Sequence, residues 1–337
     1  MSGKKLEAPV RIGMIGVGGI SHGHARNLLA TGRAKITAIM DTDDQRIGRI
    51  QEAFPPLKEA AVFKDHKKLL ERSDVDAVVI CSPHCFHCEQ IVDSLAAGKH
   101  VLTEKPMVNT IEEAKKVLAA WKKSGLVLSI SYQRQFDGKF RYMRDCIARG
   151  ELGDVLQVSA FNSQGWYEGC KGSWRQCLKI SGGGQLNDTG SHIVNMITWV
   201  PQLRATEVAC YQEYFDCEVD INSVINVKFE NGALGSIFIA GRAPGWWEDF
   251  SVIGTKGALI LRGDRLIQMH NKPYVEKLIQ TAHGHSDPDR NLVDVLLGRD
   301  EQVVNPVDGL RVIELTEAAW ESAKKGGTPV KVKSVAI

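Results

Sequence analysis

Up to about residue 130, short apolar runs alternate with amphipathic segments. The apolar runs predict strands at Val10–Ile15, Lys35–Met40, Ala77–Cys81, His100–Thr103 and Leu126–Ile130. The segments between them predict helices at Ser21–Ala30, Asp43–Ala53, Asp65–Arg72, His87–Ala97 and Thr110–Lys123. Nearly continuous apolar strands that alternate with helices form parallel sheets covered on both faces. The sequence therefore predicts an α/β domain with a doubly wound parallel sheet over residues 1–130.

The pattern changes in residues 131–337, where strands follow one another in series. Helices are predicted at Gly138–Arg149, Gln185–Val200, Asp289–Leu297 and Asp308–Lys324. Strands are predicted at Val155–Phe161, Glu207–Tyr214, Ser223–Phe229, Leu234–Ala240, Phe250–Gly254, Ala258–Leu261, Leu266–Met269 and Pro329–Val332. Asn231-Gly232 separates two of these strands and is typical of a hairpin turn. We expect an α+β domain with a large, mostly antiparallel, open sheet.

Composition narrows the class of protein. A length of 337 residues suits about two domains. The formal net charge of +2 excludes a strong attraction to nucleic acid or to an anionic membrane. No run of about 18 apolar residues is present, so no membrane span is expected. The N-terminal residues lack the apolar segment of a signal peptide, so we expect the eight cysteines to be free thiols in a reducing, cytoplasmic setting.

The turn after the first predicted strand is rich in glycine. Residues Gly16 to Ser21 read GVGGIS, which is G-x-G-x-x-G with serine in the last place. An ordinary glycine-rich turn would produce the same pattern, but the position between a strand and a helix favours the Rossmann dinucleotide fingerprint. Gly16 would permit the tight turn, and Gly18 would let backbone N–H groups approach a diphosphate.

Asp41 ends the second predicted strand, at the distance from the glycine motif that the fingerprint requires. A carboxylate there accepts hydrogen bonds from ribose hydroxyls and repels a 2′-phosphate. The sequence therefore favours NAD over NADP. Asp41 would also serve as a helix N-cap, and both roles can hold together.

Three residues suggest acid–base chemistry on an alcohol. Asp188 and His192 are spaced i, i+4 within one predicted helix, so they would share a face, where the carboxylate can orient the imidazole. Lys105 follows a predicted strand at the sheet edge where such folds bind ligands, and its ammonium would stabilise a developing alkoxide. We therefore expect His192 to act as general base. An ordinary surface pair has the same spacing, and a metal site would need a third ligand that the sequence does not supply.

Longer motifs resemble the Gfo/Idh/MocA family, which includes glucose–fructose oxidoreductase and inositol dehydrogenase. Cys81–Pro106 reads CSPHCFHCEQIVDSLAAGKHVLTEKP, and Ser181–His192 reads SGGGQLNDTGSH. The final helix resembles the family's closing helix, so the likeness covers nearly the whole chain. The departures are Ser21, where glycine is frequent, and Gln133–Phe136, where many members have an Asn- and Arg-rich stretch.

The resemblance implies roles for individual residues. Gly16, Gly18, Gly19 and Ile20 would hold the pyrophosphate, with Asp41 on the ribose. Ser82, Pro83 and His87 would border the adenine and nicotinamide half, and Glu104 and Lys105 would meet the nicotinamide ribose and substrate. Lys105, Asp188 and His192 match the family's catalytic residues, with Arg134, Trp174 and Arg175 as further substrate-binding candidates.

Other candidates have plainer interpretations. The run Cys81, His84, Cys85, His87, Cys88 contains half of a zinc motif without a second half, so no metal is expected. Trp166, Tyr167, Trp174 and Arg175 would line a sugar pocket, or would serve loop packing or a subunit contact equally well. His22 and His24 are expected at the surface or at the cofactor edge.

The sequence as a whole predicts an NAD-dependent oxidoreductase that acts on a sugar, cyclitol or related polyol. The alternatives are an NAD-dependent glycoside hydrolase that uses transient oxidation, and a non-catalytic dinucleotide-binding sensor. The open sheet face is expected to form a homodimer or homotetramer contact.

Overall fold

A computed structural model describes residues 5–271, 274–281 and 286–336. Up to residue 130 the strands are β1 Val10–Ile15, β2 Ala34–Met40, β3 Ala61–Phe63, β4 Ala77–Ile80, β5 His100–Thr103 and β6 Leu128–Ile130. The helices there are α1 Ser21–Ala30, α2 Asp44–Ala53, α3 His66–Leu70, α4 His87–Ala96 and α5 Ile111–Ser124.

The remaining helices are α6 Gly138–Ala148, α7 Trp166–Gly169, α8 Leu178–Ser181, α9 Gly190–Trp199, α10 Pro288–Leu296 and α11 Pro306–Lys324. The remaining strands are β7 Val155–Gly165, β8 Ala205–Glu213, β9 Asn222–Phe229, β10 Leu234–Ala240, β11 Arg242–Gly254, β12 Gly257–Arg262, β13 Arg265–Asn271, β14 Tyr274–Ile279 and β15 Val330–Lys331. None of the helices in the described part of the chain is both long and apolar enough to cross a membrane.

The chain forms two compact units. The first comprises the described residues up to Val108, together with Glu112–Gln133 and Ser286–Val307. The second comprises Asn109–Ile111, the described residues between Arg134 and residue 285, and the residues from Asp308 onward.

The first unit is built on a parallel sheet with the strand order β3-β2-β1-β4-β5-β6. The predicted doubly wound sheet is therefore confirmed. The strand order changes direction between β1 and β4, so the topological switch point lies there. Such sheets bind ligands at this point, at the carboxyl ends of the strands. Strand β3 was not predicted, because it has only three residues and none is fully buried.

Helix α10 belongs to the first unit, although the predicted boundary put residues 131–337 together. Leu292, Val293 and Leu296 of this helix are buried in the same apolar core as Val10 and Leu28. The packing of α10 on the core of the first unit is a long-range contact, and local sequence patterns do not predict such contacts.

The second unit contains a nine-stranded sheet in the order β14-β13-β12-β11-β7-β10-β9-β8-β15. The β7–β10 pair is parallel and the other pairs are antiparallel, which confirms the predicted, mostly antiparallel sheet. Strand β9 alternates buried and exposed residues, so one face packs on helices and the other lies open.

The helix predicted at Gln185–Val200 begins only at Gly190, which is a correction to the sequence analysis. Residues before Gly190 form turns, because the Asp220 carboxylate accepts the backbone N–H groups of Gly184 and Leu186 at 3.0 and 2.8 Å. Asp188 therefore precedes the helix and does not share a helical face with His192.

Candidate active site

The glycines of the turn between β1 and α1 have different surroundings. Gly16 has φ +83°, and a Cβ there would lie 2.7 Å from the backbone nitrogen of Ser82, so only glycine fits. At Gly18 and Gly19 a Cβ would meet no protein atom within 4 Å. These two positions therefore leave open space in front of α1.

The N-terminus of α1 has no side-chain cap, since Ile20 occupies the N-cap position without a capping hydrogen bond. A helix N-terminus of this kind offers backbone N–H groups and a positive dipole end to an anion. Ser21 is fully buried, and its hydroxyl donates to the Gly18 carbonyl at 2.5 Å, so serine fits where glycine is frequent. The turn thus fits the diphosphate of a dinucleotide.

Asp41 is buried at the end of β2, beside the glycine turn. Its Oδ2 accepts from the Val17 N–H at 2.9 Å and its Oδ1 accepts from the Asp43 N–H at 3.0 Å. Each carboxylate oxygen keeps a second lone pair for a ribose hydroxyl. The N-cap of α2 is Asp43, whose side chain accepts from the Gln45 N–H, so Asp41 does not have that role.

The turn after β4 is held together by a fully buried histidine. His87 Nε2 lies 2.9 Å from the Ser82 carbonyl, and Nδ1 lies 2.8 Å from the Pro106 carbonyl. Burial lowers the pKa of His87. The Ser82 hydroxyl donates to Gln90 at 2.5 Å. His87 therefore links the turn at Pro83 to the segment that carries Lys105.

Glu104 and Lys105 follow β5 at the carboxyl edge of the parallel sheet. Glu104 is buried, whereas Lys105 is half-buried. Burial opposes ionisation of Glu104, but the hydrogen bond from His24 and the positive charges nearby outweigh it and lower the pKa of this carboxyl. Glu104 Oε2 also accepts from the Lys105 backbone N–H at 3.1 Å.

In the second unit, three consecutive glycines shape the segment before Asp188. A Cβ on Gly182, Gly183 or Gly184 would lie within 2.3 Å of Asn109, Trp320 or Asp220, respectively. Asp220 is buried and also accepts from the Trp320 indole at 3.1 Å; burial raises the pKa of this carboxyl. The glycines therefore serve close packing, and Asp220 organises the turn. The sequence analysis missed Asp220 because it is 36 residues from Gly184.

Asp188 is buried and has two donors within its own unit. Its Oδ2 accepts from the Trp166 indole at 2.8 Å and from Arg175 Nε at 3.0 Å. His192 is also buried and lies in the first turn of α9. Asp188 thus lies in a turn and His192 in the helix that follows it. Trp166 and Arg175 hold the Asp188 carboxylate in place.

The other predicted substrate residues have partners in the same unit. Arg134 forms two hydrogen bonds with the Glu248 carboxylate, one of them from Nε at 2.7 Å, and lies over the Trp246 ring. Trp174 stacks on the Arg175 guanidinium, 4.5 Å from ring centroid to Cζ. Arg175 therefore contacts both Trp174 and Asp188, and its predicted contact with substrate stays a prediction.

The possible metal ligands that lie together are not those of the cysteine-rich run. Among the described residues, the one group of three possible ligands with adjacent atoms is His66, Glu89 and Asp93. The Lys67 ammonium already lies 2.9 Å from the Glu89 carboxylate. Cys81 is buried, and its burial raises the pKa of the thiol.

Family models match most of the chain. Residues 10–132 match an oxidoreductase family with an NAD-binding Rossmann fold, and residues 140–260 match the GFO/IDH/MocA C-terminal domain. Among curated proteins, the chain is 26% identical to the uncharacterized oxidoreductase YrbE of Bacillus subtilis, over 95% of this chain and 96% of that protein. It is 29% identical to myo-inositol 2-dehydrogenase of Thermotoga maritima, over 74% of each chain.

Solved structures show the same fold. Levoglucosan dehydrogenase in complex with NADH has a TM-score of 0.86 at 20% identity, covering 97% of this chain and 100% of that chain. The resemblance drawn from the motifs is thus confirmed. The chain belongs to the GFO/IDH/MocA family of oxidoreductases, and its first domain is the family's NAD-binding Rossmann fold.

Proposed function

We propose that this oxidoreductase is an NAD-dependent dehydrogenase of a sugar, cyclitol or related polyol. The observation that carries the proposal is the open space at Gly18 and Gly19 in front of the uncapped N-terminus of α1, next to the buried Asp41 carboxylate. The relative named myo-inositol 2-dehydrogenase supports the substrate class.

The first unit would hold the cofactor. Gly16 to Ile20 would bind the diphosphate, and Asp41 would accept hydrogen bonds from the adenosine ribose. Two cations near Asp41 already pair with carboxylates: Arg46 lies 3.4 Å from Asp43, and Lys64, next to the Thr42 carbonyl, lies 2.5 Å from Asp44. A 2′-phosphate would therefore meet the Asp41 charge without a dedicated cation, which supports NAD over NADP. Ser82, Pro83, Glu104 and Lys105 would border the nicotinamide half.

The proposed chemistry is general acid–base catalysis on an alcohol. Bound NAD would supply the hydride acceptor. His192 would take the proton of the substrate hydroxyl, and the Lys105 ammonium would stabilise negative charge on the same oxygen. Asp188 would orient substrate or imidazole, while Trp166 and Arg175 keep its carboxylate in place.

A panel of polyols and sugars, with NAD and NADP side by side, tests the proposal by absorbance of the reduced cofactor. We expect turnover with NAD that falls by a factor of about 100 or more in His192→Asn and in Lys105→Met, since each variant removes a group from the transition state. NAD affinity should change little. Glycoside cleavage without release of NADH would identify a hydrolase. Tight NAD binding with no turnover on any substrate would identify a sensor.

We also propose that a second copy of the chain packs on the open sheet face. The strand register places Tyr211, Val224, Phe238 and Phe161 side by side across β8, β9, β10 and β7. Tyr211, Val224 and Phe238 are exposed to 65%, 40% and 43%. A contiguous apolar row of this kind favours a self-complementary contact. Light scattering should show a dimer or tetramer that Phe238→Glu dissociates; a wild-type monomer at micromolar concentration contradicts the idea.

A cytoplasmic location remains our proposal as well. Cys81, Cys146 and Cys210 are buried and belong to no disulfide among the described residues, and free buried thiols suit a reducing compartment. Cell fractionation of the full chain tests this location, and recovery in a secreted fraction contradicts it.

A further inference from the structure

A buried histidine lies between two carboxylates in the first unit. His24 is on α1, directly after the glycine turn, and only 4% of its side chain is exposed. Its Nδ1 lies 2.7 Å from Asp289 Oδ1, and its Nε2 lies 3.0 Å from Glu104 Oε1. Of the two positions expected for His24, the surface and the cofactor edge, the first is wrong.

The geometry determines the charge of this imidazole. A neutral imidazole has one N–H, whereas two ionised carboxylates can only accept, so both contacts are satisfied only by the imidazolium form. Burial opposes this charge, but the interaction with the Cys81 side chain and the negative charge and hydrogen bond of Asp289 outweigh it, so the pKa of His24 is raised well above 6.5. Cys81 is the third titratable neighbour of His24, and burial raises the pKa of its thiol.

The same network reaches the backbone of Lys105. Glu104 uses Oε1 for His24 and Oε2 for the Lys105 N–H. At the other end, Asn27 Nδ2 donates to Asp289 Oδ2 at 3.1 Å. The chain of contacts therefore joins α1, α10 and the segment after β5. Loss of the His24 charge would leave the two buried carboxylates of Asp289 and Glu104 without the cation that lies between them.

We propose that His24 is a positioning residue, which as an imidazolium holds Glu104 and thereby the backbone of Lys105 in place. It touches neither substrate nor reacting atoms in this role. Helix α1 follows the glycine turn directly and would receive the diphosphate. The His24–Glu104 hydrogen bond therefore joins this helix to the segment of Lys105. The inference rests on the proposed function only for the role of Lys105.

Nitrogen-15 NMR of histidine-labelled protein without nucleotide tests the charge. At about pH 8, above the ordinary histidine pKa of about 6.5, we expect His24 to show two protonated ring nitrogens. His100 is an internal reference, because its Nδ1 accepts from the Val127 N–H at 3.0 Å and burial lowers its pKa. The variants His24→Asn and His100→Asn assign the signals. A neutral His24 at this pH overturns the proposal.

Amide hydrogen exchange tests the positioning independently of activity. We expect the Lys105 amide to exchange at least about tenfold faster in His24→Asn, because loss of the anchor to Glu104 permits local opening. His66→Asn is the matched control, since His66 is buried in the same unit and its ring nitrogens lie 2.9 Å from the Asp93 carboxylate and 3.7 Å from the Asp65 carboxylate. Equal acceleration in both variants, or none in His24→Asn, overturns the proposal.

Kinetics provide the functional readout. His24→Asn should lower kcat by roughly tenfold to a hundredfold, with the Kd of NAD within about threefold of wild type, because Lys105 is displaced and the nucleotide site is kept. Glu104→Gln should have a similar effect, and the double variant should lose little more than either single one. Wild-type kcat in His24→Asn overturns the proposal. If no polyol is turned over even by wild type, the proposed function fails while the NMR and exchange results still decide the role of His24.

Discussion

Replacement of Gly18 by alanine should separate nucleotide binding from folding. A Cβ at this position meets no protein atom within 4 Å, and the backbone does not have the positive φ that excludes alanine. The folded protein therefore accommodates the methyl group without strain. The same methyl group would point into the space that we assign to the diphosphate.

The structure supports an estimate of both effects. Gly→Ala at a compatible position changes stability by about 0.4–1 kcal/mol, and in the stabilising direction, because it restricts the unfolded chain. An extra methyl group in a tightly filled contact costs about 1–3 kcal/mol. Since about 1.4 kcal/mol corresponds to tenfold in affinity, Gly18→Ala should weaken NAD binding roughly 5- to 150-fold.

The assay combines urea unfolding without nucleotide and calorimetric titration with NAD. Gly48→Ala is the matched control, because Gly48 lies in α2 and also has no protein atom within 4 Å of its Cβ position; it should keep wild-type affinity. Gly16→Ala should lose stability as well, since its Cβ would clash with the Ser82 backbone. The reasoning is refuted if Gly18→Ala binds NAD like wild type, or if it loses more than about 1 kcal/mol of stability.

Three further predictions follow from buried charges. Asp41→Asn should lower the ratio of NAD to NADP affinity about tenfold or more, because it removes a charged acceptor; an unchanged ratio in titrations with both nucleotides contradicts this role. Asp220→Asn should cost on the order of 2 kcal/mol in urea unfolding, because the Gly184 and Leu186 N–H groups and the Trp320 indole use both carboxylate oxygens and an amide offers only one. The pKa of His24 is raised in the folded state. The contribution of its charge to the free energy of unfolding is therefore complete below pH 6.5 and is lost as the pH rises through the folded-state pKa. The difference in unfolding free energy between wild type and His24→Asn should therefore be smaller at about pH 9 than at about pH 6, and a larger one would contradict the charge assignment.

Local patterns in the sequence were sufficient for five of the six strands of the first unit's sheet and for its glycine turn. Apolar runs identify buried parallel strands because both faces of such strands are covered, so no polar alternation is needed. The tight turn at Gly16 could be predicted from the sequence, because a positive φ and a close backbone neighbour both require glycine at a fixed place after β1. Asp41 follows from the same short spacing, since β2 ends next to the turn.

Only the tertiary structure decided which charges are buried and what holds them. His24 and Asp289 are 265 residues apart, and Asp220 is 36 residues from the glycine whose N–H it accepts. The start of α9 at Gly190 depends on that second contact, which competes with helical hydrogen bonds over residues 185–189. Helix periodicity indicates which face is apolar, but it carries no information about a carboxylate supplied by a distant loop, here the one between β8 and β9. The sequence alone thus determined most of the elements and the nucleotide motif, whereas long-range packing determined the surroundings of His24 and the position of Asp188.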